Sequence, residues 1–235
     1  MAAVVKGLGI PLSFLRTQKE GPGAGPEDHV MAMPSTPATE HPPEIVSTNH
    51  IKSVLVAGGS SCVGSCAIQL LRIALGSEVT ILSTNSRNNN PHILKLGATA
   101  CIARNDPKLI DAVKEASPGG QGVDAILDAV GAAGENKQLF DALRPDGPKL
   151  YSEVMTGTKI DVPKGIKSTV VFGRMALQMR GGTTAMGKLA DLVDEGKFKL
   201  PLAVEVVGNG LEAVGSGVEK LKAGGVSATK LVVSL

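Results

Sequence analysis

From residue 51 onward the chain is built from short apolar runs separated by amphipathic stretches. The runs are SVLVA (53–57), EVTILS (78–83), ACIA (100–103), VDAILDAV (123–130), KLYSEV (149–154) and STVVFG (168–173). Several are close to continuously apolar rather than alternating, the signature of strands covered on both faces. Between them the spacing predicts helices over 63–75, 91–96, 108–116, 135–143 and 175–195. In the first of these Ala67, Leu70, Leu71 and Ala74 recur at helical intervals. This alternation predicts an α/β fold, a doubly wound parallel sheet of the Rossmann type. After Gly196 two further strands, 202–207 and 228–235, flank a helix over 211–225 closed by a glycine pair. That strand–helix–strand appendage is too short to stand alone and must dock. At the other end, an apolar stretch over 2–15 leads into a Pro/Gly-rich loop over 21–44. The expected division is a hinge and loop (1–50), a dinucleotide-binding domain (51–196) and a C-terminal remnant of a substrate domain (197–235).

Composition narrows the picture. Hydrophobic residues make up 43% of the 235 residues but aromatics only 2%, with no Trp and one Tyr, so the core must be aliphatic. Formal net charge is +2 with acids and bases interleaved, which argues against a nucleic-acid partner. No run reaches the ~18 apolar residues of a membrane span. The first residues lack the basic region and cleavage site of a signal peptide, so a cytoplasmic protein is expected. The cysteines, Cys62, Cys66 and Cys101, are odd in number and sparse, as befits reduced thiols. Cys62 and Cys66 have no neighbouring Cys/His pair to complete a zinc site, so no metal is expected.

The first predicted strand runs into AGGSSCVGSCAIQ. Gly58 and Gly59 permit a tight turn, and Gly64 permits close packing of the helix on the strand. Ser61 takes the middle-glycine place of a GxGxxG fingerprint. Ser60, Ser61, Cys62 and Val63 then lie where a helix N-terminus holds a pyrophosphate. At the end of the second strand an NAD(H) binder carries an acid for the ribose 2′-hydroxyl. Here the sequence is LSTNSRNNN, with Ser83, Ser86 and Arg87 and no acid. A cation among hydroxyls suits a 2′-phosphate, so NADP(H) is favoured.

With VLVAGGSSCVGSCAIQLL, HILKLGATACI, VDAILDAVG and LRPDG in order, followed by KLADLVDEGKFKL and the closing GGVSATKLVVSL, the chain resembles the medium-chain dehydrogenase/reductase superfamily. It is most similar to the zinc-independent quinone and enoyl reductases, especially the fungal trans-acting enoyl reductases. The likeness covers 51–235, and KGLGIPLSF near the start looks like the hinge leading in. It implies NADPH binding and reduction of an activated alkene or ketone of an apolar secondary metabolite. It also implies that Asp128, Ala129 and Val130 end the fourth strand beside the cofactor, that Phe172 and Gly173 face the nicotinamide, and that STVVFG pairs with its copy in a homodimer. The GroES-like domain of such reductases is expected to be missing. Their usual basic residue in the second-strand loop falls on Asn88, beside Arg87. Ala103-Arg104 replaces their usual Asp-Tyr pair, which makes Arg104 a second candidate cation. Two other readings stand beside the reductase: a non-redox cyclase, isomerase or dehydratase reusing the cleft, and a cofactor-binding partner without catalysis.

Acid–base candidates are few. Asp128, Tyr151 and Glu153 are expected near the carboxyl ends of their strands, and His50 just before the first strand. His29 and His41 fall in the Pro-rich segment. Met175, Met179 and Met186 read as core or pocket wall.

Overall fold

The computed structural model describes residues 51–155, 160–173 and 182–235. Six parallel strands form one sheet in the order β3-β2-β1-β4-β5-β6. They are β1 (Ser53–Ala57), β2 (Thr80–Asn85), β3 (Ala100–Ala103), β4 (Ala125–Asp128), β5 (Leu150–Val154) and β6 (Lys167–Val171). The helices are α1 (Cys62–Leu75), α2 (Asn90–Lys95), α3 (Leu109–Ala116), α4 (Ala132–Glu135) and α5 (Ala185–Asp194).

The continuous apolar runs are explained by two cores. Along β1, Val54 and Val56 enter one cluster while Leu55 and Ala57 enter the other. In β4, Ala125 and Leu127 part from Ile126 in the same way, and in β5 Leu150 parts from Tyr151. The first cluster is covered by α1, with Ile93, Leu192 and Phe198. The second is covered by α3, α4 and the turn after it. Phe140 meets Tyr151 edge to face there, with ring centroids 4.9 Å apart. A strand whose successive side chains must fill opposite cores has no place for the polar half of an alternating pattern.

At the amino edge, Asp124 is almost fully buried and is the hub of a clasp. It accepts from the backbone N–H groups of Lys52 and Ser53, and Arg144 pairs with it. Arg72 does similar work at the end of α1. Its guanidinium donates to the carbonyls of Gly97 and Val79 and to Thr99 Oγ1.

Two elements depart from the sequence reading. The second strand runs 80–85 rather than 78–83, because Thr84 and Asn85 are buried polar residues with partners inside the fold. The helix expected over 135–143 is instead short α4 followed by a 3-10 turn, Lys137–Ala142. Asn136 breaks it, leaving the helical region (φ −130°, ψ 88°) while its side chain caps Gln138 N–H. Of the predicted helix over 175–195, α5 is observed and residues 174–181 lie outside the described residues, Met175 and Met179 among them.

The C-terminal segment forms β7 (Ala203–Asn209), α6 (Ala213–Lys222) and β8 (Thr229–Ser234). Its two strands pair with each other, parallel, as a separate ladder. It is tied to the sheet side by polar contacts. Gln69 Nε2 donates to Lys199 O (3.1 Å) and Gln69 Oε1 accepts from Lys199 N (2.9 Å). A ring nitrogen of His92 lies 2.8 Å from Pro201 O, and Asn89 Nδ2 donates to Ser227 Oγ. Among the described residues no helix is long and apolar enough to cross a membrane.

Candidate functional site

The strand order reverses between β1 and β4. In open parallel sheets the crevice outside the carboxyl ends at such a point is where ligands bind. The turn Gly58–Ser61 and the first turn of α1 stand there. Gly58 has φ +78°, a conformation costly for a residue with a Cβ. Its N–H donates to Thr84 Oγ1, and Gly59 N–H donates to Thr84 O. Thus β2 fixes the turn from the side. Gly64 lies against the turn, and a Cβ there would run into the Gly58 carbonyl and the Gly59 Cα. Ser65 Oγ donates to Gly59 O and closes the contact.

Ser61 is the N-cap of α1, with extended backbone, and its Oγ accepts from Gly64 N–H at 3.0 Å. That bond uses a lone pair and leaves the hydroxyl proton free to donate. Ser60 and Ser61 are half-buried, and Cys62 and Val63 are exposed. The N–H groups of Cys62 and Val63 belong to the first helical turn, where no intrahelical acceptor exists. The result is an open cradle of N–H and O–H donors at the positive end of a 14-residue helix. This donor set fits the pyrophosphate of a dinucleotide.

One flank of the cradle is the end of β2. Ser83 does not face it: the residue is fully buried under Gly59 and its hydroxyl donates to Asn85 Oδ1. The two-residue shift of β2 is the reason, since it moves the strand's end to Asn85. Ser86 is half-buried and Arg87 is exposed, beyond that end. Arg104 is brought to the same place, for its backbone N–H donates to Asn85 O at 3.1 Å. Two arginines therefore flank a buried neutral Asn85, and no acid ends the strand. The tail reaches this flank through Asn89 and Ser227.

The opposite flank is the loop after β4. Val130 is about half exposed and its side chain occupies the space above Gly58. Ala129 is buried beneath it. The loop is held by Asp128, which is fully buried and accepts from the N–H groups of Val130, Ala132 and Ala133 and from the Tyr151 hydroxyl at 3.0 Å. Asp128 is thus an internal brace, not a group facing the crevice. Tyr151 is likewise fully buried. Burial, then the Asp128 charge, then Glu153, push its phenol well above the usual range. Glu153 is 3% exposed and sits beside Asp128 in the β4–β5 register. These three candidates do not reach the open edge, because the strands carrying them are covered on both faces. Phe172 is half-buried and Gly173 exposed just past the end of β6, two strands beyond β4. His50, like His29 and His41, lies outside the described residues. Met186 is 72% exposed and so is not a core residue. Thr84 was missed by the sequence reading, although it ties both glycines to β2. It lies one residue past the apolar run 78–83, where it reads as part of a turn.

Residues 62–152 match the family described as zinc-binding dehydrogenase. "Dehydrogenase orf1" of Aspergillus niger is 32% identical over 198 residues, covering 82% of this chain and 56% of the relative. "Trans-enoyl reductase eqxC" of Fusarium heterosporum is 30% identical over 219 residues, covering 86% and 58%. Among solved structures, the quinone oxidoreductase of Coxiella burnetii superposes with a TM-score of 0.58 at 26% identity, over 78% of this chain and 53% of that one. The chain spans about half the length of the curated relatives it matches. The family's description implies a metal. Among the described residues, however, no group of three or more His, Cys, Asp and Glu is placed to hold one.

Proposed function

We propose, from the premise that the chain belongs to the medium-chain dehydrogenase/reductase superfamily as an enoyl- or quinone-reductase-like member, that it is an NADPH-dependent reductase-like enzyme. Its substrate in this reading is an apolar secondary metabolite with an activated alkene or ketone. The observation that carries the cofactor reading is the pair Arg87 and Arg104 flanking Asn85, beside the donor cradle of α1. Ser60, Ser61 and the first-turn N–H groups of Cys62 and Val63 hold the pyrophosphate. Ser86, Arg87 and Arg104 take the 2′-phosphate, a dianion for which a guanidinium is well suited. Gly58 with Val130 above it, Phe172 and Gly173 wall the nicotinamide side. When bound, NADPH supplies the hydride. The chain's own part is to orient that ring and to keep water from it. Residues 51–196 act as the dinucleotide-binding domain, and 197–235 contribute to the substrate-binding half. β6, the last strand of the described sheet, pairs with its copy in a homodimer.

A second reading, a cofactor-binding partner without catalysis of its own, is favoured by one observation. Asp128, Tyr151 and Glu153 are all buried away from the crevice.

Fluorescence titration of NADPH and NADH tests the first reading. Arg87→Ala should weaken NADPH binding roughly tenfold or more, the scale of a lost charge-assisted hydrogen bond, and leave NADH nearly unchanged. Equal losses for both would remove Arg87 from the 2′-phosphate. Oxidation of bound NADPH in the presence of a conjugated enone separates the reductase from the bystander.

A further inference from the structure

We propose that Cys62 and Cys66 are a modification site, an oxidisable dithiol that a peroxide converts to an intrahelical disulfide and that thereby opens the phosphate cradle. The consequence for nucleotide rests on the reading above, but the chemistry does not. Cys62 is the first residue of α1 and is exposed, and Cys66 follows one turn later on the same helix face, half-buried. Cys66 is the sheltered thiol, pushed up to about 12 by burial first and then by Cys62. The exposed sulfur meets the oxidant and the sheltered one waits behind it. The third thiol, Cys101, lies on β3.

The steps balance with hydrogen peroxide as the oxidant. The Cys62 sulfur attacks the O–O bond and becomes a sulfenic acid as one water leaves. The Cys66 sulfur then attacks that of Cys62, the S–S bond forms and the S–O bond breaks. The Cys66 proton departs with the hydroxyl as a second water. Two thiols are oxidised and one peroxide is reduced.

The effect follows from geometry. Side chains four apart on a helix hold their Cβ atoms about 5–6 Å apart, whereas a disulfide needs roughly 3.5–4.5 Å. The bridge must therefore distort the first turn. That turn carries the Ser61 cap on Gly64 N–H and the two free donors of Cys62 and Val63. It has little slack, because Gly64 is already pressed against Gly58 and Gly59.

The test uses the full chain with Cys101→Ser, reduced and then treated with hydrogen peroxide. Peptide mass spectrometry should find a 62–66 bridge with two hydrogens lost. Cys66→Ser should stop at a Cys62 sulfenic acid that dimedone traps, and Cys62→Ser should give no bridge. Amide exchange at Gly64 and Ser65 should accelerate on oxidation. NADPH affinity should fall roughly tenfold or more and return with dithiothreitol. Absence of the bridge, or a bridge that leaves both exchange and affinity unchanged, overturns the proposal. If the reduced chain binds no nucleotide, the reductase reading fails, while the bridge and the exchange still judge this one.

Discussion

Among the described residues two parallel ladders stand in opposite surroundings. All five residues of β1 are buried, whereas no residue of β7 or β8 is. Their apolar character is similar, yet Val54 and Val56 are 3% and 0% exposed while Val204 and Val206 are 56% and 61% exposed. The difference is cover. β1 is central in its sheet and has a core on each side, but among the described residues β7 and β8 are packed by each other and by α6, which sets Ala213 and Gly217 against them. An apolar run therefore reveals a strand without revealing what lies over it. The candidate site stands on the first kind of ladder, where neighbouring strands fix the turn through Thr84 and the opposite loop through Asp128. The tail stands on the second kind and is tied on by Phe198, buried in the first core, and by a handful of hydrogen bonds.

Four substitutions probe that contrast, and urea unfolding reads each of them. Leu55→Ala should cost about 2–5 kcal/mol, the range for a fully buried leucine with little room to collapse. Gly64→Ala should cost roughly 1–3 kcal/mol by overpacking against backbone and should also abolish NADPH binding. Retained binding would show that the turn yields more easily than its contacts suggest. Gln69→Ala removes both bonds to Lys199 and should cost about 1 kcal/mol. Hydrogen exchange should rise in β7 and β8 more than in β1. Val206→Ala should change stability by no more than about 0.5 kcal/mol. A loss matching that of Leu55→Ala would mean that the exposed face is covered in solution, and the contrast between the ladders would fall.

Much of the fold was legible from residue order. The runs at 53–57 and 100–103 are the strands β1 and β3, because apolar residues and glycine punctuation mark them cleanly. The end of β2 was not legible, since Thr84 and Asn85 read as turn residues. Thr84 is held by the N–H of Gly58, distant in sequence, whereas Asn85 is held by Ser83, Ser86 and Asn90 close by. The same blindness placed Ser83 in the site when it lies beneath it. The glycine cradle was legible because its demands are local: a positive φ, a close helix approach and a cap. The role of Asp128 as an internal brace was not, because a carboxylate at a strand's end looks the same whether it faces solvent or three backbone donors and a phenol.

The cap at Ser61 gives one hydroxyl two employers. Its oxygen holds the helix together, and its hydrogen remains for the ligand. Such a position is filtered twice by selection. Threonine satisfies both demands, aspartate satisfies the helix but sets a negative charge against phosphate, and alanine satisfies neither. Which residues are tolerated at this single place would therefore record whether the chain has been kept for its fold alone or for what its crevice holds.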